Sequence, residues 1–225
     1  MGFGDTFSKF KTLALQKVGK AKSREEPEEF TAMIASIAST RKELQAILEV
    51  SKKLHERQIK IASSYEATAG AFTHANSSTS RGALIAAVPM INKVAEAQKA
   101  LADNFRVTVI VGIEALLAVQ VKAAEDAKKK LEDARLDFDA KEASFQSIVE
   151  NKKATPSEID TAKNKTDEAE NAYISAKSNL ESVCAQLEEA KGEFYRDNIS
   201  QFADSLKQMA ASTNTAAEAY ARETN

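Results

Sequence analysis

The sequence predicts an all-α fold in which three long helices form an elongated antiparallel coiled coil, and three observations support this prediction. Only 7 Gly and 3 Pro occur among 225 residues, which leaves few positions for helix breaks or sheet turns. Apolar residues recur every three or four positions along most of the chain, which is the spacing of a helix stripe. Polar segments at 73–83 and 151–158 interrupt this pattern and predict the two connections between helices.

Helix 1 is predicted from about residue 27 to about residue 72. Pro27 precedes an apolar series that advances in steps of three and four. The series consists of Phe30, Met33, Ile34, Ile37, Leu44, Ile47, Leu48, Leu54, Ile61, Tyr65 and Phe72. We expect the helical domain to cover residues 25–222 and the segment 1–24 to behave separately.

Helix 2 is predicted from about residue 84 to residue 150. Pro89 suits its first turns, because the missing N–H would have no helical partner there. The stretch 107–121 is the longest apolar run of the chain, but it is shorter than the roughly 20 residues that cross a bilayer. It also contains Glu114 and Gln120. We therefore expect this stretch to pack against protein and not to span a membrane.

Helix 3 is predicted from Pro156 to about residue 220. Thr155 and Glu158 have the spacing of a capping box, and Pro156 occupies the first helical position. The following apolar or small residues have a mean spacing of about 3.5, which is a heptad seam. They are Ile159, Ala162, Thr166, Ala169, Tyr173, Ala176, Leu180, Val183, Leu187, Ala190 and Phe194. At about 1.5 Å per residue such a helix is on the order of 100 Å long.

The turn near residue 153 folds helix 3 back along helix 2, so we predict that the two helices pair in antiparallel orientation. The numbers of two residues that face each other along this seam then add up to about 307. This register places Phe138 opposite Ala169 and Ala127 opposite Leu180, with Phe145, Ala134 and Leu131 facing Ala162, Tyr173 and Ala176. Large residues then alternate with small ones, as in a packed core. The charged stretch KKLEDARLDFD, residues 129–139, thus contributes a narrow seam.

The centre of helix 2 predicts a two-fold dimer with a six-helix central bundle. Apolar residues between 107 and 121 cover most of the helix circumference, and two further helices of one chain do not easily enclose such a helix. The predicted dimer contacts are Val107, Ile110, Val111, Leu117 and Val121. The alternative is a monomer in which helices 1 and 3 cover this stretch unaided.

Residues 1–24 predict a basic amphipathic segment that folds on a membrane surface. They contain six Lys/Arg and one Asp, whereas the remaining chain has 25 basic and 32 acidic residues. The predicted membrane-inserting residues are Phe3, Phe7, Phe10 and Leu13, and Lys9, Lys11 and Lys20 are predicted to contact headgroups. The alternative is a helix that packs on the rest of the protein. The start MGFGDT also matches a myristoylation pattern, which the bulky Phe3 disfavours.

The sequence offers little for catalysis, metal binding or a cofactor, and we expect no enzyme. His55 and His74 are the only histidines, and they do not have a ligand spacing. Cys184 is the only cysteine, so the chain has no internal disulfide, and we expect an intracellular protein. The acidic balance beyond residue 24 argues against nucleic-acid binding.

Two stretches resemble the BAR domain family, specifically the N-BAR proteins endophilin and amphiphysin. KKLEDARLDFD is similar to a helix 2 segment of endophilins, and QKVGKAKSREEPEEF, residues 16–30, resembles the entry to helix 1 in both proteins. The resemblance implies a crescent-shaped antiparallel homodimer on cytoplasmic membranes, with roles in endocytosis and membrane trafficking. It implies that a basic concave face and basic tips bind anionic lipid. Carried over by position, the headgroup contacts are Lys128, Lys129, Lys130, Arg135, Lys152 and Lys153.

The chain also departs from the endophilin pattern. The basic cluster that follows this helix 2 segment in endophilins is reduced here to Lys141, and these 225 residues contain neither the helix 1 insert nor an SH3 sequence. The leading hypothesis is a dimeric peripheral membrane protein that senses or generates curvature. The alternative is a BAR-like coiled-coil scaffold that binds a small GTPase or another protein partner without remodelling membranes.

Overall fold

The structure, a computed structural model, describes residues 28–74 and 81–224 and consists of three long helices. Helix α1 is Glu28–Thr73. Helix α2 begins at Arg81 and ends at Glu150, and α3 is Pro156–Thr224. The described part of the chain contains no strand, so the predicted all-α class is confirmed.

Helix α2 runs without a break but is π-helical in two places. Its segments are Arg81–Phe105, the π-helix Arg106–Ile110, Val111–Ala115, the π-helix Leu116–Val121 and Lys122–Glu150. A π-turn holds about one residue more than an α-turn, so it rotates the following side chains around the helix. The two π-helices therefore help to explain why apolar residues cover most of the circumference between 107 and 121.

The start of α3 has the predicted capping box. The backbone N–H of Thr155 donates to Glu158 Oε2 at 2.8 Å, and the backbone N–H of Glu158 donates to Thr155 Oγ1 at 3.3 Å. Two backbone donors at the helix start are thus satisfied reciprocally, and this prediction is confirmed. Two hydrogen bonds to the Glu158 carboxylate, first from the backbone N–H of Thr155 and then from the Thr155 hydroxyl at 2.8 Å, lower the pKa of Glu158 below its ordinary value of 4.5.

We expect Thr155→Ala to destabilise the start of α3 by about 1 kcal/mol, because the cap at N3 is lost. A carboxyl group whose pKa is lower in the folded state than in the unfolded state stabilises the folded state. This stabilisation is complete at pH values above the ordinary pKa, and it is lost as the pH falls through the folded-state pKa. Thr155→Ala keeps the backbone N–H that lowers the pKa of Glu158 most, so the pH dependence is tested with Glu158→Gln, whose side chain does not titrate. The wild type should lose more stability than Glu158→Gln between pH 6 and pH 3. Urea unfolding followed by circular dichroism at both pH values measures this difference. Equal losses in the two proteins would contradict the capping account.

The chain divides into two compact units. Unit 1 comprises Met1–Thr40 and Val119–Glu188, and unit 2 comprises Arg41–Ala118 and Glu189–Asn225. Each unit therefore combines a part of α1, a part of α2 and a part of α3.

Unit 1 has a core along the predicted seam. Leu131, Phe138, Ala169, Tyr173 and Leu180 are buried in it. The rings of Phe138 and Tyr173 stack with centroids 6.0 Å apart, whereas the sequence paired Phe138 with Ala169 and Tyr173 with Ala134, so this contact lies about one turn from the predicted register. On α1, the ring of Phe30 lies 4.1 Å from Lys177 Nζ, a cation–π contact.

Unit 2 shows the register between α2 and α3 most directly. The Phe105 and Phe202 rings have centroids 4.8 Å apart, and Asn198 Nδ2 donates to the Thr108 carbonyl at 2.7 Å. The residue numbers in these two pairs add up to 307 and 306, in agreement with the value of about 307 that the sequence predicts for facing residues of the two helices. Gly112 lies between the two π-helices, where a Cβ would be only 2.5 Å from Asn198 Nδ2.

Helix α1 pairs with α2 through two exposed ion pairs of unit 2. Lys52 Nζ lies 2.7 Å from Glu114 Oε1, and Lys99 pairs with Glu66. The positions in these pairs sum to 166 and 165, so α1 and α2 are antiparallel in this unit. Exposed pairs of this kind contribute little stability, about 0 to 1 kcal/mol each, and their use here is to define the register.

Candidate functional site

Large apolar side chains are exposed mainly in unit 2. Of the described residues, unit 2 exposes Val50, Leu54, Ile61, Tyr65, Ile85, Val107, Val111, Ile199 and Leu206, whereas unit 1 exposes only Val119, Val149 and Ile174. Single exposed apolar residues are ordinary, but a concentration of them in one region marks an interaction surface. Most of the exposed large apolar side chains of the described chain therefore lie in unit 2.

The five predicted dimer contacts of α2 fall into two groups. Val107 and Val111 are 66% and 46% exposed, and Leu117 is half-buried. Ile110 and Val121 are 6% and 0% exposed, so the single chain already covers their side chains. Val107, Val111 and Leu117 thus remain available to a second copy, whereas Ile110 and Val121 belong to the packing within the chain.

Helix α1 presents an apolar surface that the sequence did not distinguish from the core. Leu54, Ile61 and Tyr65 belong to the predicted stripe of helix 1, yet they are 42%, 46% and 39% exposed. Val50, 66% exposed, lies on the same side. We call these four residues the α1 stripe. Apolar periodicity marks a helix face but does not reveal whether that face contacts the same chain or another one.

Beyond the fully buried Leu44, the face of α1 that packs inside unit 2 carries small and polar residues. Ser51, Gln58, Ala62 and Ala69 are buried there. Gln58 Oε1 has no hydrogen-bond partner among the described residues, and the same holds for His55 Nε2. Small residues on this face allow α1 to lie close to the other helices of unit 2. The larger apolar side chains of the α1 stripe lie to one side of this helix contact.

The predicted headgroup residues of α2 do not share one face. Consecutive helix residues point about 100° apart, so Lys128, Lys129 and Lys130 point in three directions. Lys128 and Arg135, seven residues apart, lie on the same side. Lys128 Nζ is 4.0 Å from Glu132 Oε1, and Arg135 Nε is buried without a hydrogen-bond partner among the described residues. Only part of this lysine run can contact a flat surface at once.

Acidic residues on the same helix reduce the positive charge further. The pKa of Asp126 is lowered first by a hydrogen bond from Lys122 and also by the charges of Lys130 and Lys129. This carboxylate therefore stays ionised near the lysine run. Residues 119–188 contain 11 basic and 15 acidic side chains, a net charge of −4.

The loop between α2 and α3 is the more basic end of the α2–α3 hairpin, which is formed by residues 119–188. Lys152 and Lys153 are exposed in it, and Asn151 Oδ1 accepts from the backbone N–H of Lys153 at 3.1 Å. Between residues 141 and 165 there are five basic and four acidic side chains. A groove of about 350 Å³ adjoins the loop and is lined by Lys141, Ser144, Ile148, Ser157, Glu158, Thr161, Ala162 and Lys165.

The predicted membrane-contacting residues of the N-terminal segment lie outside the described residues. These are Phe3, Phe7, Phe10, Leu13, Lys9, Lys11 and Lys20.

The described residues contain no cluster of His, Cys, Asp or Glu that could hold a metal ion. Cys184 is buried, and its thiol pKa is raised by burial and secondarily by Glu188, which disfavours the reactive thiolate.

Helix α2 contains a window long and apolar enough to cross a membrane by composition, and 39% of that window is buried in the chain. The core helix of a soluble protein meets the same criterion. Near this stretch, Glu114 pairs with Lys52 and Asn198 binds the Thr108 carbonyl, which are contacts of a helix packed against other helices.

The comparisons with known proteins concern the family of the chain and its similarity to solved structures. The family model of the BAR domain matches residues 3–211. The F-BAR domain of Hof1p is similar with 13% identity and a TM-score of 0.50, over 89% of each chain. The I-BAR domain of D. discoideum IBARa is 15% identical with a TM-score of 0.36, over 99% of this chain and 89% of that one. The F-BAR domain of Drosophila Syndapin/PACSIN is 12% identical with a TM-score of 0.34, over 85% and 82%. Among curated protein sequences, none matches this chain.

Because the family match covers nearly the whole chain, this chain belongs to the BAR domain family. BAR domains are helical coiled-coil scaffolds, not enzymes, that form dimers and bind membranes. BAR domain proteins are generally cytosolic and associate peripherally with membranes.

Proposed function

We propose that this chain forms a homodimer that binds anionic membranes peripherally and senses or generates their curvature. The observation that carries the proposal is the BAR domain match over residues 3–211. In this proposal the protein is of the N-BAR type and acts in endocytosis or other membrane traffic in the cytoplasm. It performs no chemistry, since its contribution is a shaped and charged surface.

The exposed apolar residues of unit 2 support the dimer. Val107, Val111 and the α1 stripe expose valine, leucine, isoleucine and tyrosine side chains in one unit. Covering a large apolar side chain contributes roughly 1.5–3 kcal/mol in full and proportionally less from partial exposure. In a two-fold homodimer each such residue is covered in both subunits. The gain from a few residues is therefore doubled in a homodimer.

The charge distribution supports membrane contact at two places. One is the loop with Lys152 and Lys153, which lies in the more basic end of the α2–α3 hairpin. The other is the basic segment 1–24, and the family match begins at residue 3 and so includes it. Each basic residue near anionic lipid contributes about 1 kcal/mol, and phenylalanine insertion adds to this. In a dimer both sites are doubled, which raises the effective concentration of each. Lys128 and Arg135 on α2 are the further headgroup contacts of a basic concave face.

Sedimentation with phosphatidylserine vesicles tests this proposal. We expect the intact chain to pellet with vesicles at low salt and to be released as salt rises, because screening weakens contacts between exposed charges. A variant lacking residues 1–24 and the double variant Lys152→Glu with Lys153→Glu should each bind severalfold more weakly. Liposome tubulation by the intact chain, seen by electron microscopy, reports on curvature generation.

The matched control reverses two lysines of unit 2 that already have acidic neighbours. Lys93 Nζ lies 2.7 Å from Glu96, and Lys207 Nζ lies 3.0 Å from Asp204. The variant with Lys93→Glu and Lys207→Glu changes the net charge as much as the loop variant, yet it should pellet like the wild type. Equally poor pelleting of all four proteins at low salt would refute the membrane proposal.

The acidic balance of residues 119–188 favours a second candidate function. With a net charge of −4, this hairpin is less suited to anionic lipid than a strongly basic one. In this alternative the dimer is a scaffold that binds a protein such as a small GTPase and does not remodel membranes. A stable dimer that fails to bind vesicles would support it.

A further inference from the structure

Thr155, in the loop between α2 and α3, has the local sequence of a phosphorylation site. The chain contains 3 Pro, at positions 27, 89 and 156, and only Pro156 follows a Ser or a Thr. Protein kinases of the proline-directed class transfer phosphate to a Ser or Thr that stands directly before proline. The Thr155–Pro156 step is therefore the one position in these 225 residues that offers such a kinase its target.

The loop presents Thr155 to solvent directly beside two lysines. The backbone N–H of Ala154 donates to the Asn151 carbonyl at 2.9 Å and closes a turn in which Lys152 and Lys153 are the central residues. The side chains of Lys152, Lys153 and Thr155 are all exposed. Thr155 lies between this turn and the first residue of α3, so an enzyme can approach its hydroxyl from solvent.

Phosphoryl transfer requires the capping box to open, and this opening is local. The Thr155 hydroxyl donates to Glu158 Oε2 at 2.8 Å and accepts from the backbone N–H of Glu158 at 3.3 Å. Both hydrogen bonds are exposed to water and lie within four residues. The ends of helices open with little cost in free energy, so the hydroxyl becomes available without separation of α2 from α3.

We infer that Thr155 is a phosphorylation site through which a proline-directed kinase switches off the lipid contact of this loop. This inference rests on the proposed function and extends it, since it assigns a regulation to the loop that contains Lys152 and Lys153. The added phosphate repels anionic headgroups and offsets the charges that attract them.

The transfer adds negative charge at the basic end of the α2–α3 hairpin. The hydroxyl oxygen of Thr155 attacks the γ-phosphorus of ATP, the bond from this phosphorus to the bridging oxygen of the β-phosphate breaks, and ADP leaves. The hydroxyl proton passes to the general base of the kinase. The phosphothreonine carries a charge of about −1.5 to −2 at pH 7. Residues 141–165, with five basic and four acidic side chains, thus change from a net charge of +1 to about −1.

The phosphate also takes over the cap of α3. Phosphate oxygens accept hydrogen bonds from the free backbone N–H groups at a helix start, where the helix dipole favours negative charge. The Glu158 carboxylate, which contacts the Thr155 hydroxyl in the unmodified protein, would then lie beside a like charge and turns away from it. Helix α3 therefore keeps a capped start, and the main effect of the modification is on the charge of the loop.

Incubation of the full chain with ATP, Mg²⁺ and a mitogen-activated protein kinase, which is proline-directed, tests the site. Intact-mass spectrometry should show one added phosphoryl group, and fragmentation should place it on Thr155. Thr155→Val lacks the hydroxyl, whereas Pro156→Ala keeps the hydroxyl and removes the residue that the kinase selects. Both replaced side chains are exposed, so both variants should fold, and neither should be modified in this loop. A wild-type chain without phosphate on Thr155 would overturn the inference.

Sedimentation with phosphatidylserine vesicles at low salt tests the switch. The phosphorylated chain should bind about tenfold more weakly than the unmodified chain, since each charge near anionic lipid matters. Thr155→Val, treated with the kinase in the same way, controls for loss of the original cap and should pellet like the unmodified wild type. Lys93→Glu changes the net charge by about as much as one phosphate, but in unit 2, and should also pellet like the wild type.

The failure of this inference is distinguishable from the failure of the proposed function. A chain phosphorylated on Thr155 that pellets as well as the unmodified chain would overturn the switch and leave the membrane proposal intact. An unmodified chain that does not pellet would refute the membrane proposal and the switch together.

Discussion

Gly112→Ala is expected to destabilise the protein by about 1–2 kcal/mol, although alanine is the better helix former. The new Cβ would lie 2.5 Å from Asn198 Nδ2 and 2.6 Å from Phe194 Cε2, both far inside contact distance. Phe194 is 7% exposed and Asn198 is held by its hydrogen bond to the Thr108 carbonyl, so neither side chain moves freely. Because two held side chains are in the way, we expect a cost in the upper part of the typical overpacking range, about 2–3 kcal/mol, and the gain of about 1 kcal/mol in helix propensity leaves about 1–2 kcal/mol.

Urea unfolding of Gly112→Ala and of the wild type at one protein concentration measures this effect, because dimerisation makes stability depend on concentration. Gly192→Ala is the matched control. Gly192 also lies inside a long helix, but nothing comes within 4 Å of its Cβ position. Its replacement should stabilise the protein by about 0.4–1 kcal/mol. If Gly112→Ala is as stable as Gly192→Ala, the close contact between α2 and α3 at this position is wrong.

Val111→Glu is expected to convert the dimer to a folded monomer. Val111 is 46% exposed in the single chain, so a glutamate there can remain hydrated while the chain is alone. In a two-fold interface the same glutamate would be buried twice without a partner charge. A loss of about 3 kcal/mol or more corresponds to a dissociation constant raised by about 100-fold or more. Size-exclusion chromatography with light scattering measures the mass.

The control for this prediction is Val149→Glu near the end of α2. Val149 is 52% exposed and lies in unit 1, so the substitution is chemically the same and comparably exposed. It should leave the mass of the dimer unchanged. Circular dichroism should show equal helix content in both variants. A normal dimer with Val111→Glu would exclude this part of α2 from the interface.

Local sequence chemistry and the heptad seam were sufficient to predict the fold class and one register. Thr155 and Glu158 define the start of α3 through hydrogen bonds within four residues, so no distant contact was needed to predict it. The pairing of α2 with α3 follows from the alternation of large and small side chains. The contact between Phe105 and Phe202 has the predicted register, since the two residue numbers add up to 307. Periodicity is a reliable guide where both partners of a contact repeat with the same spacing.

Features that depend on a third helix or on another chain could not be predicted. The π-helices at Arg106–Ile110 and Leu116–Val121 rotate the buried face of α2 around the helix. A pattern based on regular α-helical spacing does not include this rotation. Ile110, predicted beside Val111 as a dimer contact, is buried within the single chain, whereas Val111 is exposed. Gly112 interrupts the pattern, but its contact with Phe194 is visible only in three dimensions.

The α1 stripe shows the same limit for binding surfaces. Leu54 and Ile61 have the spacing of core residues, yet they are 42% and 46% exposed in the single chain. The true intrachain face of α1 contains Ser51 and Gln58, which a hydrophobic pattern does not mark. The loop lysines Lys152 and Lys153 were recognised by position alone, and their contribution to lipid binding stays a prediction.

Sedimentation equilibrium of the intact protein determines whether a second copy of this chain completes unit 2. The single chain has a mass of 24.4 kDa. We expect twice this mass at micromolar concentration and, for Val111→Glu, the mass of one chain. A mass of 24.4 kDa for the wild type over the whole concentration range would exclude the dimer.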